Sequence, residues 1–258
     1  MMMCISEPWL TEKLGERVRG SVHVSLYVRP LDEARPFIYD ERVMPSASLI
    51  KVPIMAEAFR QEKEGRIRFE DMLLVYDPVE GGSFYGGPPD RKVSLYDLIF
   101  HMIVESDNTC ANMLMDILGA DRINEGFLRW GMDHTILRRK MMDFAAARAG
   151  RENMTTVSDM GRFFTLLADG RCVDEERSQA MLAILSQQED NAILPAQIPH
   201  SVRVDHKTGE LEGIYHDCGI VYSPRRVYIC CMMADGITDE PRTVYDLSYL
   251  ARDIYDRL

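Results

Sequence analysis

Apolar residues follow two different spacings along the chain, and these spacings predict where strands and helices lie. The run 22–28 is rich in β-branched and aromatic residues, which is typical of a strand, and 37–39 could pair with it. Towards the other end of the chain, similar runs predict strands at 202–204, 219–222 and 227–232. The chain is therefore predicted to begin and end with β-structure.

Between these strands, apolar residues recur at the spacing of helices. Ile50, Ile54 and Ala58 follow this spacing between Leu49 and about Glu64, and the next residue, Gly65, can end the helix. Further helices are predicted at 9–19, 94–104, 109–118, 157–167, 174–187 and 243–258. The middle of the chain is therefore predicted to be helical.

This order of elements predicts a mixed α/β protein of the α+β type, built as one compact unit with two lobes. Residues 1–45 and 199–258 would form a sheet-and-helix lobe, and residues 46–198 would form an all-helical lobe. With 258 residues, of which 46 % are hydrophobic, the chain can bury a full core.

Charge and hydropathy argue against two classes of partner. The formal net charge of −11 would repel phosphate backbones and anionic membrane surfaces, so nucleic acid is not an expected partner. No stretch approaches the roughly 20 apolar residues that span a bilayer, and the first residues lack a basic segment followed by an apolar one. As written, the chain is expected to be soluble and cytoplasmic.

The six cysteines do not suggest metal or redox chemistry. They lie at positions 4, 110, 172, 218, 230 and 231, with no C-x-x-C pair among them. Reduced thiols that fill the core are the expectation.

Ser48-Leu49-Ile50-Lys51 is the first candidate for chemistry. A serine and a lysine three positions apart at the start of a helix lie on one face, so the amine could take the proton of the hydroxyl. The helix N-terminus would add N–H groups that favour negative charge. By itself, however, this pattern is more often a helix cap followed by a solvated amine.

Two tripeptides further along the chain change this interpretation. Ser106-Asp107-Asn108 lies between two predicted helices, and Lys207-Thr208-Gly209 follows a strand-like stretch, where it could offer a cation, a hydroxyl and a close backbone approach. Alone they would be a helix junction and an edge strand. At average amino-acid frequencies, a given tripeptide occurs at any one position about once in ten thousand. Chance is therefore a poor explanation for two such tripeptides following Ser48 in this order.

The set S-x-x-K, S-D-N and K-T-G resembles that of class A β-lactamases and penicillin-binding proteins. The intervals between the motifs and the β, helical, β order are similar to those of class A enzymes across nearly the whole chain. The resemblance implies a β-lactamase/transpeptidase-like fold, with an antiparallel sheet, flanking helices and an active site in the cleft between two lobes.

The resemblance also implies roles for the residues of the motifs. Ser48 would attack the carbonyl of a β-lactam or peptide-like substrate, with Lys51 as proton acceptor, and Ser106 and Lys207 would pass the proton towards the leaving nitrogen. The backbone N–H groups of Ser48 and Glu210 would form the oxyanion hole.

Substrate binding is assigned by the same resemblance. Asn108 would hydrogen-bond the acyl-side amide, Lys207 and Thr208 would hold the substrate carboxylate, and Gly209 would allow close approach. Tyr85, in a loop rich in glycine and proline, could form a wall of the cleft. No metal or organic cofactor is implied, and the partner is a small-molecule substrate. The oligomeric state stays open.

The segment that should carry the deacylating glutamate departs from the class A pattern R-x-E-x-x-L-N. The segment here is Arg139-Lys140-Met141-Met142-Asp143-Phe144-Ala145, so Met141 stands for the glutamate and Ala145 for the asparagine. A thioether cannot accept a proton from water, so deacylation should suffer. Asp143 is a candidate replacement base, although a solvated loop carboxylate is the better-supported interpretation.

The leading functional hypothesis is therefore hydrolysis of β-lactams through an acyl-Ser48 intermediate with slow deacylation. Three alternatives stay open: a peptidase or esterase acting on cell-wall-like substrates, a sensor that stays acylated, and a ligand-binding protein without chemistry. Enzymes of this type usually work outside the cytoplasmic membrane, so a longer form of the chain would be expected in the periplasm or outside the cell.

Overall fold

The computed structural model describes residues 5–18, 22–88 and 90–258, which fold into helices and one main sheet. The helices within these ranges are α1 (Glu7–Arg17), α2 (Lys51–Lys63), α3 (Leu95–Val104), α4 (Asn108–Leu118), α5 (Ala120–Arg129), α6 (Phe144–Arg148), α7 (Val157–Ala168), α8 (Glu175–Leu185) and α9 (Glu240–Arg257). The strands are β1 (His23–Pro30), β2 (Phe37–Tyr39), β3 (Met44–Pro45), β4 (Met72–Leu74), β5 (Lys92–Ser94), β6 (Met154–Thr155), β7 (Val204–Leu211), β8 (Ile214–Tyr222) and β9 (Val227–Asp235).

Both ends of the chain build the main sheet. Its five strands lie in the order β2-β1-β9-β8-β7, and each neighbouring pair is antiparallel. The strand β7 therefore lies at an edge, where its free side can face the helices. The antiparallel sheet with its helices confirms the predicted α+β class.

The two faces of the sheet pack against different sets of helices. In β9, Cys231 and Met233 join the apolar core of the helical region, whereas Cys230 and Met232 join a second core that includes residues of α1 and α9. Successive side chains of a strand point to opposite faces, so one strand contributes to both cores. This arrangement ties the helical region directly to the sheet.

Local signals in the sequence explain several helix ends. At the start of α3, the Ser94 hydroxyl accepts from the Asp97 N–H at 3.0 Å and the Asp97 carboxylate accepts from the Ser94 N–H, which is a capping box. Past the end of α2, Gly65 takes a left-handed φ of 70°. These two predictions are confirmed.

Other elements differ from the sequence-based prediction. The strand predicted at 202–204 begins only at Val204 and continues to Leu211. The helix α5 was not predicted, because its buried apolar side chains are only Ile123 and Phe127 in an otherwise polar segment.

The described part of the chain contains no helix that is long and apolar enough to cross a membrane. Five cysteines are free and buried, at positions 110, 172, 218, 230 and 231. Cys4 lies outside the described residues.

Candidate active site

Ser48 lies in a 3₁₀ turn, Ala47–Ile50, that leads directly into α2. The residue before it, Ala47, has a left-handed φ of 46°, which is uncommon for a side chain with a Cβ and is found preferentially at functional sites. Below the turn, the buried His216 donates from Nε2 to the Pro45 carbonyl at 2.9 Å and accepts at Nδ1 from the Ala234 N–H. Burial lowers the pKa of His216 to about 4, so this histidine is neutral and attaches the turn to the sheet.

Lys51 is fully buried one turn after Ser48. Its Nζ donates to the Ser106 carbonyl at 2.6 Å, the Ser106 hydroxyl at 3.2 Å and the Asn108 Oδ1 at 2.7 Å. Burial lowers the pKa of Lys51 well below its usual range, and the charge of Lys207 lowers it further, although Asp107 opposes the shift. The lowered pKa makes it easier for this amine to give up its proton and act as a proton acceptor, while the three hydrogen bonds that Nζ donates are those of the ammonium form.

Ser106 and Asp107 lie between α3 and α4, as predicted, and Asn108 is the first residue of α4. Ser106 has a left-handed φ of 58°, and the Asp107 carboxylate caps α4 by accepting from the Cys110 N–H at 2.9 Å. The other oxygen of Asp107 accepts from the Phe84 N–H at 2.9 Å, which holds the glycine-rich loop against this segment. A Cβ on Gly82 would lie 2.1 Å from that oxygen, so the loop can approach only because this residue is glycine.

The third motif lies on the edge strand β7. Lys207 is fully buried and its Nζ donates to the Thr208 carbonyl at 3.0 Å. Burial lowers the pKa of Lys207 to about 8, while Asp190 and Asp217 oppose the shift. A Cβ on Gly209 would lie 3.2 Å from the Ser46 carbonyl and from the Leu49 nitrogen, so β7 packs directly on the turn that carries Ser48.

One cleft of about 720 Å³ brings these segments together. Its lining includes Ser48, Ser106, Asn108, Thr208 and Glu210. Lys51, Lys207 and Gly209 lie buried beneath the lining. Tyr85 does not line this cleft, and its side chain is 53 % exposed; Gly81 and Gly82 line it in its place.

Met141 is held at the edge of the helical core. Its side chain is only 7 % exposed, and its backbone pairs twice with Asn112, whose Oδ1 accepts from the Met141 N–H at 2.7 Å and whose Nδ2 donates to the Met141 carbonyl at 3.2 Å. The neighbouring Ala145 is exposed. Met141 lines a pocket separate from the Ser48 cleft, and its thioether has no acid–base chemistry.

Asp143 is not brought into the Ser48 cleft. It lies exposed at the N-terminus of α6, where its carboxylate accepts from the Ala146 N–H at 2.9 Å, and it lines a separate pocket with Met141 and Asn112. A capping contact therefore accounts for this carboxylate.

Two histidines near the site make structural pairs. His206 and Asp217 are buried and joined at 2.8 Å, and the second oxygen of Asp217 accepts from the Leu194 N–H. His101 packs against the Phe84 ring and contacts Glu105, whose carboxylate does reach the cleft. The sequence alone did not indicate which of these groups would face the cleft.

Comparisons with known proteins agree on one family. A family model described as "Beta-lactamase enzyme family" matches residues 10–258. "Beta-lactamase 1" of Streptomyces cacaoi is 26 % identical over 182 residues, which are 66 % of this chain and 54 % of that protein. The alignment thus spans about half the length of this relative.

Solved structures give the same result for the fold. A β-lactamase from Sphaerobacter thermophilus superposes with a TM-score of 0.89 at 23 % identity, covering 97 % of both chains. PBP-A superposes with a TM-score of 0.88 at 25 % identity, covering 97 % of this chain and 95 % of the other. A leucine-to-glutamate variant of PBP-A, in an acyl-enzyme complex with penicillin G, has a TM-score of 0.87 at 25 % identity, covering 96 % of this chain and 95 % of the other. The predicted β-lactamase/transpeptidase-like fold is confirmed, and this chain belongs to the β-lactamase enzyme family.

Proposed function

We propose that this protein opens β-lactams through a covalent acyl-Ser48 intermediate and hydrolyses that intermediate slowly. In this proposal the Ser48 Oγ attacks the lactam carbonyl, and Lys51 accepts the serine proton. Ser106 and Lys207 convey a proton to the leaving nitrogen as the carbon–nitrogen bond breaks. The backbone N–H groups of Ser48 and Glu210 stabilise the oxyanion, and Asn108 hydrogen-bonds the acyl-side amide.

The observation that carries the proposal is the environment of Lys51. The amine is completely buried, contacts Ser106 and Asn108 directly, and has its pKa lowered by burial and by Lys207. These features argue against the alternative in which Ser48 only caps the helix and Lys51 is a solvated surface amine. They place an amine whose pKa is lowered one helical turn from a serine that lines an open cleft.

Slow deacylation follows from position 141. General base catalysis contributes about 10²–10⁴ to a rate, and a buried thioether cannot provide it. Acylation uses a different set of groups, so the loss falls on the second step. The leucine-to-glutamate variant of PBP-A, a structural relative, has been solved as an acyl-enzyme complex with penicillin G.

The test is intact mass spectrometry over time after mixing with a penicillin and a cephalosporin. An adduct equal in mass to the intact β-lactam should appear quickly and decay slowly, with a burst in a chromogenic turnover assay. Ser48→Ala should abolish the adduct. A label that survives in Ser48→Ala, or rapid turnover with no detectable adduct, would contradict the proposal.

A second candidate function is favoured by the same buried Met141: a penicillin-binding protein that remains acylated, as a sensor or as a peptidase trapped by the drug. The lifetime of the adduct separates the two. An adduct that persists far beyond any measured turnover supports the second function, and a slow return of free enzyme supports the first.

A further inference from the structure

A second pocket, lined mainly by cations, lies at the opposite end of α2 from Ser48. It has a volume of about 570 Å³, and its charged lining consists of one carboxylate, Glu64, and four basic residues, Arg60, Lys63, Arg129 and Arg171. It shares no lining residue with the Ser48 cleft. Because α2 has 13 residues, its two ends are about 20 Å apart. In a chain with a net charge of −11, this excess of positive charge is a local reversal.

Two of the four cations have structural partners. Arg60 pairs with the buried Glu57 at 2.7 Å, and Lys63 pairs with Asp174 at 2.8 Å. Both also lie in the last turn of α2, where positive charge complements the helix dipole. These contacts account for Arg60 and Lys63 without a ligand.

The other two cations are free to contact a ligand. Arg129 is exposed and makes no hydrogen bond or ion pair with another described residue. Arg171 has only Asp169 near it, at 3.9 Å, which is too long for a hydrogen bond. The dipole of α5 can account for the charge of Arg129 in its last turn, but Arg171 lies outside the helices. Both guanidinium groups keep the planar N–H donors that pair with phosphate or carboxylate.

Trp130 gives an independent indication of a ligand. Its side chain is only 6 % exposed, its ring packs against Phe163 at 5.5 Å, and it lines this pocket. The indole N–H donates to no described residue, and it is not among the buried atoms that lack a partner, so it is open to solvent. A largely buried tryptophan usually has an acceptor for this N–H. An acceptor can therefore reach it through the pocket.

The free polar groups of the pocket are thus all donors. Its one carboxylate, Glu64, is already paired with Arg60 and Arg66. A ligand that fits must supply several acceptor oxygens and negative charge. An oxyanion has both properties.

We infer that this pocket binds a small oxyanion with at least two negative charges, of the phosphate or polycarboxylate type, and that Arg129, Arg171 and the Trp130 N–H are its donors. The site lies outside the acyl-Ser48 machinery, and the inference goes beyond the proposed function.

Isothermal titration calorimetry of the full chain with inorganic pyrophosphate and with citrate tests the site. Arg129→Gln and Arg171→Gln should each weaken binding by about fivefold, the effect of one unit charge at about 4 Å in water-like surroundings, and the double variant by more than tenfold. Trp130→Phe, which keeps a ring but removes the N–H, should weaken binding by about two- to tenfold. Arg122→Gln removes an exposed arginine of α5 outside the pocket, so it is the matched control and should bind like the parent.

Fluorescence locates the binding. Trp9→Phe leaves Trp130 as the only tryptophan, and iodide, itself an anion, quenches an indole on contact. Pyrophosphate or citrate should protect Trp130 from iodide with the same midpoint that calorimetry gives. In the double arginine variant, iodide should quench less, whereas quenching by neutral acrylamide should not fall.

The two probes separate the sources of the oxyanion. Saturable binding of pyrophosphate alone identifies a phosphate site, binding of citrate alone identifies a polycarboxylate site, and binding of both shows that charge and acceptor oxygens suffice. Absence of saturable binding of either probe at millimolar concentration would overturn the inference. So would binding that the double variant retains, an equal loss in Arg122→Gln, or binding that leaves the iodide quenching of Trp130 unchanged.

Discussion

At the scale of single residues, the site combines a complete acylation set with an incomplete deacylation set. Lys51 and Ser106 contact each other beneath the cleft, whereas position 141 carries a buried methionine. These groups act on different steps of the proposed reaction. Single substitutions should therefore separate the two steps.

Met141→Glu should shorten the life of the acyl-enzyme. A general base there would lower the second barrier by about 3–5 kcal/mol, the equivalent of 10²–10⁴ in rate. Ala145→Asn beside it would help to hold the water, so the double variant should be at least as fast. The measurement is the decay of the adduct in mass spectra. Met141→Gln is the control, because glutamine has the size of glutamate but cannot act as a base. If the glutamate leaves the lifetime unchanged, another group performs deacylation.

Lys207→Met should stabilise the folded protein at pH 7 while impairing acylation. In the folded protein the pKa of Lys207 is about 8, below the ordinary value of 10.5. The unfolded chain therefore binds this proton more tightly than the folded protein does. Below pH 8 the difference lowers the free energy of unfolding by about 3 kcal/mol. The cost is relieved as the pH rises from about 8 to 10.5. Urea unfolding should therefore show a variant more stable than the parent at pH 7, with the gap closing by pH 10. A variant less stable at pH 7 would contradict this account.

At the scale of elements, the edge strand β7 and the 3₁₀ turn at Ser48 form one unit. The turn is attached from below by His216 through the Pro45 carbonyl and touched from the side by Gly209. The close contact between the two backbones places the Glu210 end of β7 beside the turn that carries Ser48. A side chain at the point of contact should disturb their relative position.

Gly209→Ala should reduce acylation more than stability. Its Cβ would lie 3.2 Å from two backbone atoms of the turn, and backbone cannot move aside as a flexible side chain can. The added methyl group should move the Glu210 N–H out of line with the oxyanion, and loss of one such donor lowers the rate by about 10²–10³. Overpacking of this kind lowers the free energy of unfolding by about 1–3 kcal/mol. The same change at Gly15, on α1 with nothing within 4 Å of its Cβ, is the control and should leave acylation unchanged. An active Gly209→Ala enzyme would show that the contact is not needed.

At the scale of the whole molecule, the sheet joins two apolar cores. Strand β9 contributes alternate residues to each, and α7 packs against the sheet from the helical side. Because β9 belongs to both cores, unfolding of either lobe would also expose apolar side chains of the other lobe to water.

Unfolding should therefore be a single transition. The two tryptophans offer separate probes, since Trp9 packs against the core of α1 and α9, and Trp130 is buried in the core of the helical region. Trp9→Phe and Trp130→Phe each leave one reporter, and the fluorescence midpoint in each variant should coincide with its own circular dichroism midpoint in urea. Midpoints that separate would show that the lobes unfold independently.

The sequence by itself determined the fold class, the longer strands and most of the longer helices, and the three motifs. Strand and helix periodicities depend on residues close together along the chain, and so does the capping box at Ser94. These features can therefore be predicted from the sequence alone. The mismatch at Met141 was also evident without a structure.

The tertiary structure alone decided which polar groups face the cleft. Asp143 and Glu105 are both loop-end carboxylates in the sequence, yet the first caps α6 and the second lines the cleft. Tyr85 lies in the loop that docks on Asp107, but it is exposed and is not among the residues that line the cleft. The burial of Lys207 and the gathering of Glu210 and Asp190 in one cleft likewise depend on segments distant in sequence, because charge and burial are set by neighbours in space rather than along the chain.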